Sequence, residues 1–190
     1  MGFHTFDVER AAALEDAGRY RFCSREELLG GLGVDGGGDA SDDTHLVDLG
    51  SGTGFYTADL APFFGRVSAV DIQPEMHELF RENGVPDNVD LVESSTESLP
   101  LGDDAADAAV STMTAHELPL ASTLADLQRV LAPDSPVVVV DWSAAGRGEG
   151  GPPRSERHDA AFVADALADA GFTVETTTER GETFFIRARS

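Results

Sequence analysis

The feature that most constrains the fold is a regular alternation, from His45 onward, of short apolar runs with longer segments of helical periodicity. The predicted strands comprise residues 45–49, 66–71, 88–93, 106–112, 136–141, 173–178 and 183–189. Helices are predicted near residues 56–64, 74–83, 120–131 and 155–170. Such alternation is typical of βαβ units and a parallel sheet. The connection at 179–182 is too short for a crossover, so the last two strands are expected to pair antiparallel. The predicted fold class is therefore α/β, with a doubly wound, seven-stranded, mostly parallel sheet that ends in an antiparallel hairpin.

The residues before His45 have a different pattern and lack this alternation of strands and helices. Residues 7–32 carry two helical patterns, and the second begins at Ser24, which forms a capping box with Glu27. Residues 36–44 are rich in Gly and Asp and lack periodicity, which predicts a flexible loop. We therefore expect an N-terminal helical segment over 1–35, the loop at 36–44, and one ligand-binding domain over 45–190.

Size and composition exclude several classes of protein. A chain of 190 residues can bury a sizeable core without a metal or a disulfide, and its single cysteine, Cys23, excludes an internal disulfide. A buried apolar role for Cys23 is favoured over a reactive thiol. The first residues are charged and no apolar run approaches the length of a membrane helix. We expect a cytoplasmic protein that has no membrane partner.

The charge of the chain is strongly negative. There are 35 acidic and 13 basic side chains, for a net charge of -22, and every basic side chain is Arg. An acidic surface without Lys is typical of proteins that work in molar salt, where the Debye length is about 3 Å. A GC-rich genome also favours Arg over Lys, but it does not by itself explain this net charge. The absence of a basic stripe argues against a nucleic-acid partner.

The strongest local motif is a glycine-rich turn between the first predicted strand and the helix that follows it. It contains Gly50, Gly52 and Gly54, and Asp48 precedes them. Glycines allow positive φ angles and let a ligand approach the backbone closely. About 20 residues later, Asp71 ends the next strand, where a carboxylate can accept hydrogen bonds from both hydroxyls of a ribose. The motif predicts a nucleoside-containing ligand, in preference to a purely structural turn.

A dinucleotide site uses similar logic but requires a different spacing. The fingerprint G-x-G-x-x-G needs a third glycine at Phe55 or at Thr57, and neither position is glycine. The G-x-G-x-G pattern preceded by an acid suits a ligand with a zwitterionic amino-acid end better than a pyrophosphate. A nicotinamide-dependent oxidoreductase is therefore disfavoured.

Several segments in order resemble the class I S-adenosylmethionine-dependent methyltransferases, which have a Rossmann-like fold. Residues 48–54 look like their motif I, and Ala69–Met76, Ser94–Leu101 and Leu127–Pro133 look like the motifs that follow. The resemblance covers roughly Leu46 to Trp142 and is greatest to the UbiE-like, type 11 branch. Small archaeal and bacterial members of that branch share the segment Gly151–Pro153.

The resemblance implies S-adenosylmethionine as cofactor and assigns residues to it. The cofactor-binding residues implied are Asp48, Gly50, Ser51, Gly52, Gly54, Asp71, Ile72, Ser95, Thr96, Glu97 and Thr112. Asp48 would orient the ammonium group, Asp71 would bind the ribose, and Ile72 would pack on the adenine. Ser95, Thr96 and Glu97 would line the adenine edge. Relatives often have Asp where Ser95 stands, and serine is a weaker acceptor for the adenine amino group. The N-terminal helices would form a lid.

Candidate catalytic residues follow the fourth predicted strand, at His116 and Glu117. An imidazole titrates near neutrality, so His116 could act as a general base, with Glu117 orienting it or accepting the proton itself. A purely pocket-shaping role for His116 is equally compatible with the sequence. Leu120 stands where H-E-x-x-H would need its second histidine, so no metal site is expected. Further side chains could line a pocket by their places beside the sheet edge, although ordinary packing or surface pairing is favoured for each: Tyr20, Arg21, Tyr56, Trp142 and Arg157.

The function predicted is in-line methyl transfer from S-adenosylmethionine to a small-molecule acceptor. The alternative is a methyltransferase-like protein that binds the cofactor without turnover. Methylation of a protein or RNA is disfavoured by the acidity and the small size of the chain. The acceptor atom and the oligomeric state are not encoded in any motif.

Overall fold

The computed structural model describes residues 6–34 and 41–190, which form one seven-stranded sheet covered by helices on both faces. The strands are β1 (Ser41–Leu49), β2 (Phe64–Asp71), β3 (Val89–Glu93), β4 (Ala108–Thr112), β5 (Pro136–Trp142), β6 (Thr173–Glu179) and β7 (Thr183–Arg189). The α-helices are α1 (Arg25–Gly31), α2 (Phe55–Leu60), α3 (Pro74–Asn83), α4 (Leu120–Val130) and α5 (Ala160–Asp169). Short 3-10 helices comprise Val8–Glu15, Ala17–Arg21, Ala61–Phe63, Ala115–Glu117 and Arg154–Glu156.

The strand order is β3-β2-β1-β4-β5-β7-β6, which confirms the predicted fold class. Strands β1 to β5 pair in parallel, and β7 inserts antiparallel between β5 and β6. The chain order reverses at β1, whose neighbours are β2 on one side and β4 on the other. In doubly wound sheets a ligand binds beyond the carboxyl ends of the strands at such a switch point. The fold therefore places the end of β1 at the position where a ligand is expected.

The core lies in two layers, because successive residues of a strand point to opposite faces of the sheet. On one face, Val137 and Val139 of β5 belong to a cluster with the buried side chains of α4 and α5. On the other face, Val138 and Val140 belong to a cluster with α1 and α2. Nearly continuous apolar strands are what burial on both faces requires.

The limits of several elements differ from the predicted ones. α5 begins at Ala160 rather than at 155, because Asp159 caps the helix by accepting from the backbone N–H of Phe162. Residue 155 lies instead in the 3-10 helix Arg154–Glu156. β1 begins at Ser41, so the last part of the predicted loop at 36–44 is strand, while residues 35–40 lie outside the described residues.

The N-terminal segment is helical but not α-helical in its first half. The predicted first helix consists of the 3-10 helices Val8–Glu15 and Ala17–Arg21. The predicted second helix is α1, and its capping box is present, with reciprocal bonds between Ser24 and Glu27. Across residues 6–34 and 41–190, no helix is long and apolar enough to cross a membrane.

Removing the buried leucine of α5 tests the packing of this helix against the sheet. Leu167 is fully buried, so Leu167→Ala should lower the free energy of unfolding by about 2–5 kcal/mol. Phe162→Ala on the same helix is the matched control, because Phe162 is 53% exposed and should change stability by less than about 1 kcal/mol. Chemical denaturation measures both values, and similar losses in the two variants would contradict this orientation of α5.

Candidate functional site

A cleft lies beyond the carboxyl ends of β1, β2 and β4, and its empty volume is about 970 Å³ when counted out into the solvent. Its lining residues from the sheet side are Gly50, Ser51, Gly52, Thr53, Asp71, Ile72, Gln73, Ser95, Thr96, Thr112, Met113, Thr114, Glu117, Leu118 and Pro119. Its other lining residues come from the N-terminal segment, α2 and α3, and are Phe6, Leu14, Arg19, Phe55, Tyr56 and Met76.

The glycine-rich turn forms the floor of the cleft, and its glycines have different reasons to be glycine. A Cβ on Gly54 would overlap the ring of Phe80, and φ at Gly54 is +86°, so packing and conformation both require glycine there. Gly52 also has a positive φ, but a Cβ there would meet only Leu14 Cδ1, at 3.7 Å. Gly52 therefore leaves its space to the cleft, where a ligand can approach the backbone.

Asp71 fixes the edge of this turn from the end of β2. Its Oδ2 accepts a hydrogen bond from the backbone N–H of Gly52 at 2.8 Å, and its Oδ1 accepts one from Gln73 at 2.9 Å. The residue is 9% exposed and lines the cleft. Each oxygen retains acceptor capacity beyond these two bonds, so the carboxylate is available to ligand hydroxyls.

Asp48 lies beneath the cleft and does not line it. One of its carboxylate oxygens accepts a hydrogen bond from the Thr57 hydroxyl at 2.6 Å, and the other has no hydrogen-bond partner. Burial raises the pKa of Asp48 to about 6, although the Thr57 hydrogen bond lowers it. The structure therefore places Asp48 behind the turn, and its predicted role at a ligand ammonium group stays a prediction.

The residues expected at an adenine ring separate into two groups. Ile72, Ser95 and Thr96 line the cleft, and Ile72 is 56% exposed, an unusual state for a large apolar side chain. The Thr96 hydroxyl forms a hydrogen bond with the Thr123 hydroxyl, with the two oxygens 2.7 Å apart. Glu97 does not line the cleft and accepts a hydrogen bond from Ser122 at 2.7 Å, so the structure places it apart from the others.

The N-terminal segment covers one side of the cleft and is attached to it by polar contacts. The Thr53 hydroxyl donates to the Glu15 carboxylate, and the Gln73 side-chain amide donates to the carbonyl of Phe6 at 3.0 Å. Arg19 brings a cation to the cleft, where its guanidinium lies 5.0 Å from the ring centroids of Phe55 and Tyr56. Burial lowers the pKa of Arg19, an effect opposed by the charges of nearby groups.

Of the two predicted catalytic residues, Glu117 lines the cleft and His116 does not. The His116 Nδ1 lies 2.9 Å from Asp141 Oδ2, and its Nε2 lies 3.7 Å from Glu117 Oε1. Burial alone would lower the pKa of the His116 imidazole, but the hydrogen bond and charge of Asp141 and the charge of Glu117 raise it. The structure thus places the His116 imidazole behind Glu117, whose side chain lines the cleft.

Glu117 has the most strongly perturbed acidity among the cleft carboxyls. Burial raises the pKa of Glu117 to about 7; His116 opposes the shift, and the charges of Asp141 and Asp71 add to it. A carboxyl that titrates near neutrality can both accept and release a proton under physiological conditions. The neighbouring backbone is also unusual, because Met113 has a φ of 59°, a value that non-glycine residues rarely adopt.

Sequence reasoning missed several cleft residues and included others that lie elsewhere. Tyr56 lines the cleft, whereas Tyr20, Arg21, Trp142 and Arg157 do not. Tyr20 donates to Asp59, and Arg157 is buried in the 143–158 loop with bonds to Pro152 and Gly150 carbonyls. The residues missed are Phe6, Leu14, Arg19, Phe55, Gln73, Met76 and Pro119. The N-terminal segment forms 3-10 helices, so a search for a 3.6-residue period did not identify the side of it that faces the cleft. The other missed residues lie beside the predicted motifs.

No group of three or more potential metal-ligating side chains converges among residues 6–34 and 41–190. The polar side-chain groups at the cleft are hydroxyls, the guanidinium of Arg19, the amide of Gln73 and the carboxylates of Asp71 and Glu117. Such a set suits hydrogen bonding to an organic ligand.

Residues 47–139 match a family model described as a methyltransferase domain. A sterol 4-C-methyltransferase from Caenorhabditis elegans is 28% identical over 106 residues. That match includes 53% of this chain but spans only 32% of the length of the other protein.

Solved structures resemble the chain over nearly its whole length. A structure described as an S-adenosylmethionine-dependent methyltransferase from Aquifex aeolicus is 29% identical, with a TM-score of 0.82 and coverage of 97% of this chain and 99% of the other. A geranyl diphosphate C-methyltransferase from Streptomyces coelicolor, solved with S-adenosyl-L-homocysteine, has a TM-score of 0.72 at 18% identity. The alignment covers 98% of this chain and 84% of the geranyl diphosphate C-methyltransferase chain. At this level of identity, the similarity shows a common fold only.

The raised pKa of Glu117 predicts a pH-dependent effect of Glu117→Gln on stability. Ionisation of Glu117 is harder in the folded chain than in the unfolded one, so its contribution to stability is full below about pH 4.5 and is lost as the pH rises through about 7. Glutamine resembles the protonated form at every pH. The variant should therefore match the native protein near pH 4.5 and exceed it above pH 7, by on the order of 1–3 kcal/mol. Denaturant titrations over this pH range measure the difference, and a gain independent of pH would contradict the assigned acidity.

Proposed function

We propose that this chain, which belongs to the class I S-adenosylmethionine-dependent methyltransferases of the UbiE-like, type 11 branch, methylates a small-molecule acceptor in the cleft beyond β1 and β4. The single observation that carries the proposal is the open glycine turn bridged to Asp71 at the sheet's switch point. S-adenosylmethionine is the methyl donor of this family.

The residues present fit this donor at three points. Gly52 leaves open space beside the backbone, the hydroxyl of Ser51 is buried without a partner, and Asp71 keeps acceptor capacity on both oxygens. We propose that the turn from Gly50 to Gly54 holds the methionine portion and that Asp71 binds the ribose. Ile72, Ser95, Thr96 and Thr112 complete the proposed donor site, whereas Asp48 supports the turn from below and Glu97 lies outside the site.

When bound, the donor supplies an electrophilic methyl group on a positively charged sulfur, so the chain itself has to supply placement and a route for a proton. Thr112 and Glu117, at and after the end of β4, lie on the side of the cleft opposite Ile72 along the strand order. We propose that the acceptor lies on this side. Glu117 is the titratable group that faces it, with His116 behind.

A small, largely apolar acceptor fits the remaining lining. Met113, Leu118 and Pro119 on the sheet side and Phe6 and Leu14 on the N-terminal side offer apolar surface. By their names, the sterol 4-C-methyltransferase and the geranyl diphosphate C-methyltransferase act on small molecules that contain a large hydrocarbon part, which supports an acceptor with such a part here. We propose that the N-terminal segment, attached through Glu15 and Phe6, acts as the lid over both ligands.

The acidity of the chain supports two further statements of this proposal. A net charge of -22 without Lys favours a protein that works in molar salt and disfavours nucleic-acid acceptors. We also propose a cytoplasmic location. A midpoint of thermal unfolding that does not rise between dilute buffer and molar KCl would argue against the first statement.

The second candidate function is S-adenosylmethionine binding without turnover, as in a sensor. The observation that favours it is Ser95, a weaker acceptor than the Asp that relatives often have, together with the absence of His116 from the cleft surface. Tight binding of the donor combined with no methyl transfer to any member of a broad panel of small acceptors would select this alternative.

The Asp71→Asn variant tests the donor site. An asparagine retains the size of the side chain but loses the charge and one acceptor oxygen, so the dissociation constant for S-adenosylmethionine should rise about 10- to 100-fold. Glu93→Gln is the matched control, because Glu93 pairs with Asp71 in register on β3 but is exposed and lies outside the cleft. Isothermal titration calorimetry in molar KCl measures both, and equal affinity in the two variants would contradict the assignment.

A further inference from the structure

Three side chains connect the end of β5 with the cleft. Asp141 lies at the carboxyl end of β5 and accepts hydrogen bonds from the backbone N–H of His116 at 2.6 Å and of Trp142 at 2.7 Å. The His116 ring follows, with Nδ1 at 2.9 Å and 3.0 Å from the two Asp141 oxygens. Glu117 is next, and its carboxylate lines the cavity.

The arrangement fixes the tautomer of the imidazole. A carboxylate that already accepts two backbone N–H donors acts as an acceptor, so His116 Nδ1 carries the hydrogen directed at it. The Nε2 atom is then the site where His116 gains or loses a proton, and it faces Glu117. Asp141 therefore both orients the ring and favours its cationic form.

The exposed fraction of the side chain increases from Asp141 through His116 to Glu117, that is, toward the cleft. The side chains of Asp141, His116 and Glu117 are 1%, 9% and 23% exposed, respectively. Of the three, only Glu117 lines the cleft, while the other two are enclosed in protein. This gradient is what a path for a proton from a cavity into buried groups requires, and the sequence motif alone did not include Asp141.

We propose that Glu117, His116 and Asp141 form a proton relay, with Glu117 as the base that faces an acceptor whose nucleophilic atom carries a weakly acidic proton, such as a phenol or an enol. The inference rests on the proposed methyltransferase function and narrows its substrate class. Glu117 is the catalytic residue of the three, and His116 and Asp141 are positioning residues that act through it.

The balance of the step is simple. A bond forms between the acceptor atom and the methyl carbon, and the bond from that carbon to the donor sulfur breaks, with its electron pair remaining on sulfur. The acceptor's proton goes to a Glu117 oxygen and from there to His116 Nε2, which leaves an imidazolium ion beside Asp141. That proton returns to solvent when product leaves. A carboxylate whose pKa is about 7 suits acceptors more acidic than an aliphatic alcohol.

Charges from the end of β2, from β5 and from the loop after β5 face the relay. Asp71 at the end of β2 raises the pKa of Glu117, and Asp141 on β5 does the same. Arg157, in the loop after β5, opposes the cationic form of His116. His158 lies near Asp141 and His116 and has its own pKa lowered by burial. The negative charges of Asp71 and Asp141 thus favour a proton on the pair formed by Glu117 and His116.

A purely structural role is the competing explanation for Asp141. Its bonds to the N–H groups of His116 and Trp142 also fix the Ala115–Glu117 turn against β5. That role requires no proton at Glu117 and no response of Glu117 to ligand charge. The two explanations therefore differ in protonation rather than in fold.

Proton release on ligand binding distinguishes them without knowledge of the acceptor. S-adenosylmethionine carries a sulfonium charge that S-adenosylhomocysteine lacks, and a positive charge near Glu117 should drive off part of its proton at pH 7. Calorimetric titrations in buffers of different ionisation enthalpy measure this for each ligand. We expect S-adenosylmethionine to release more protons than S-adenosylhomocysteine, by about half a proton at most. The excess should disappear in Glu117→Gln. Both ligands carry the same amino groups, so any protons that these groups exchange on binding cancel in the comparison.

Titration of the His116 imidazole by NMR, without ligand, tests the role of Asp141. In Asp141→Asn the pKa of His116 should fall by about one unit or more, because its charged partner is removed. The exposed acid of the nearby loop supplies the control variant Glu156→Gln, which should leave the His116 pKa unchanged. The same Asp141→Asn protein should show a smaller excess of released protons.

The outcomes separate the relay from the proposed function. If both ligands bind but the excess is the same in the native protein and Glu117→Gln, the relay is wrong and the proposed donor site is unaffected. If the pKa of His116 is unaffected in a folded Asp141→Asn variant, Asp141 has only a structural role and the relay is also wrong. If neither ligand binds, the proposed function fails, and the relay fails with it.

Discussion

The hydrogen bond from the Gly52 backbone to the Asp71 carboxylate is the interaction on which the site depends. It joins the turn after β1 to the end of β2, and the second oxygen of Asp71 holds the following turn through Gln73. Two loops that leave neighbouring strands are thereby locked in relation to each other. The switch point of the sheet decides where a cleft forms, but this carboxylate keeps the glycine turn open toward it.

The elements that local pattern determines could be predicted from the sequence. The glycine spacing, the buried runs of the strands and the Ser24 capping box depend on residues close together in the chain, and the fold class follows from them. The start of α5 could not be decided between Ser155 and Asp159, since both are capping residues and only the path of the preceding loop selects one.

The site was predictable where it follows a strand end and not where it depends on distant pairs. Asp141 lies 25 residues from His116, and no spacing rule joins them. Arg19 reaches the cleft because a 3-10 segment, which a 3.6-residue period does not describe, packs against Phe55 and Tyr56. Conversely, Glu97 belongs to a motif that lines the cleft, yet its bond to Ser122 directs it elsewhere. The proposed donor half of the site is thus local in sequence, and the proposed acceptor half is assembled by tertiary contacts.

Thermal unfolding of the native protein in molar KCl tests most directly whether the cleft binds S-adenosylmethionine. S-adenosylmethionine or S-adenosylhomocysteine at 100 times its dissociation constant should add about 2.7 kcal/mol to stability. For a domain of this size that raises the midpoint by roughly 5–10 °C, and NAD should not raise it. A folded protein whose midpoint responds to NAD, or to none of the three ligands, would contradict the account.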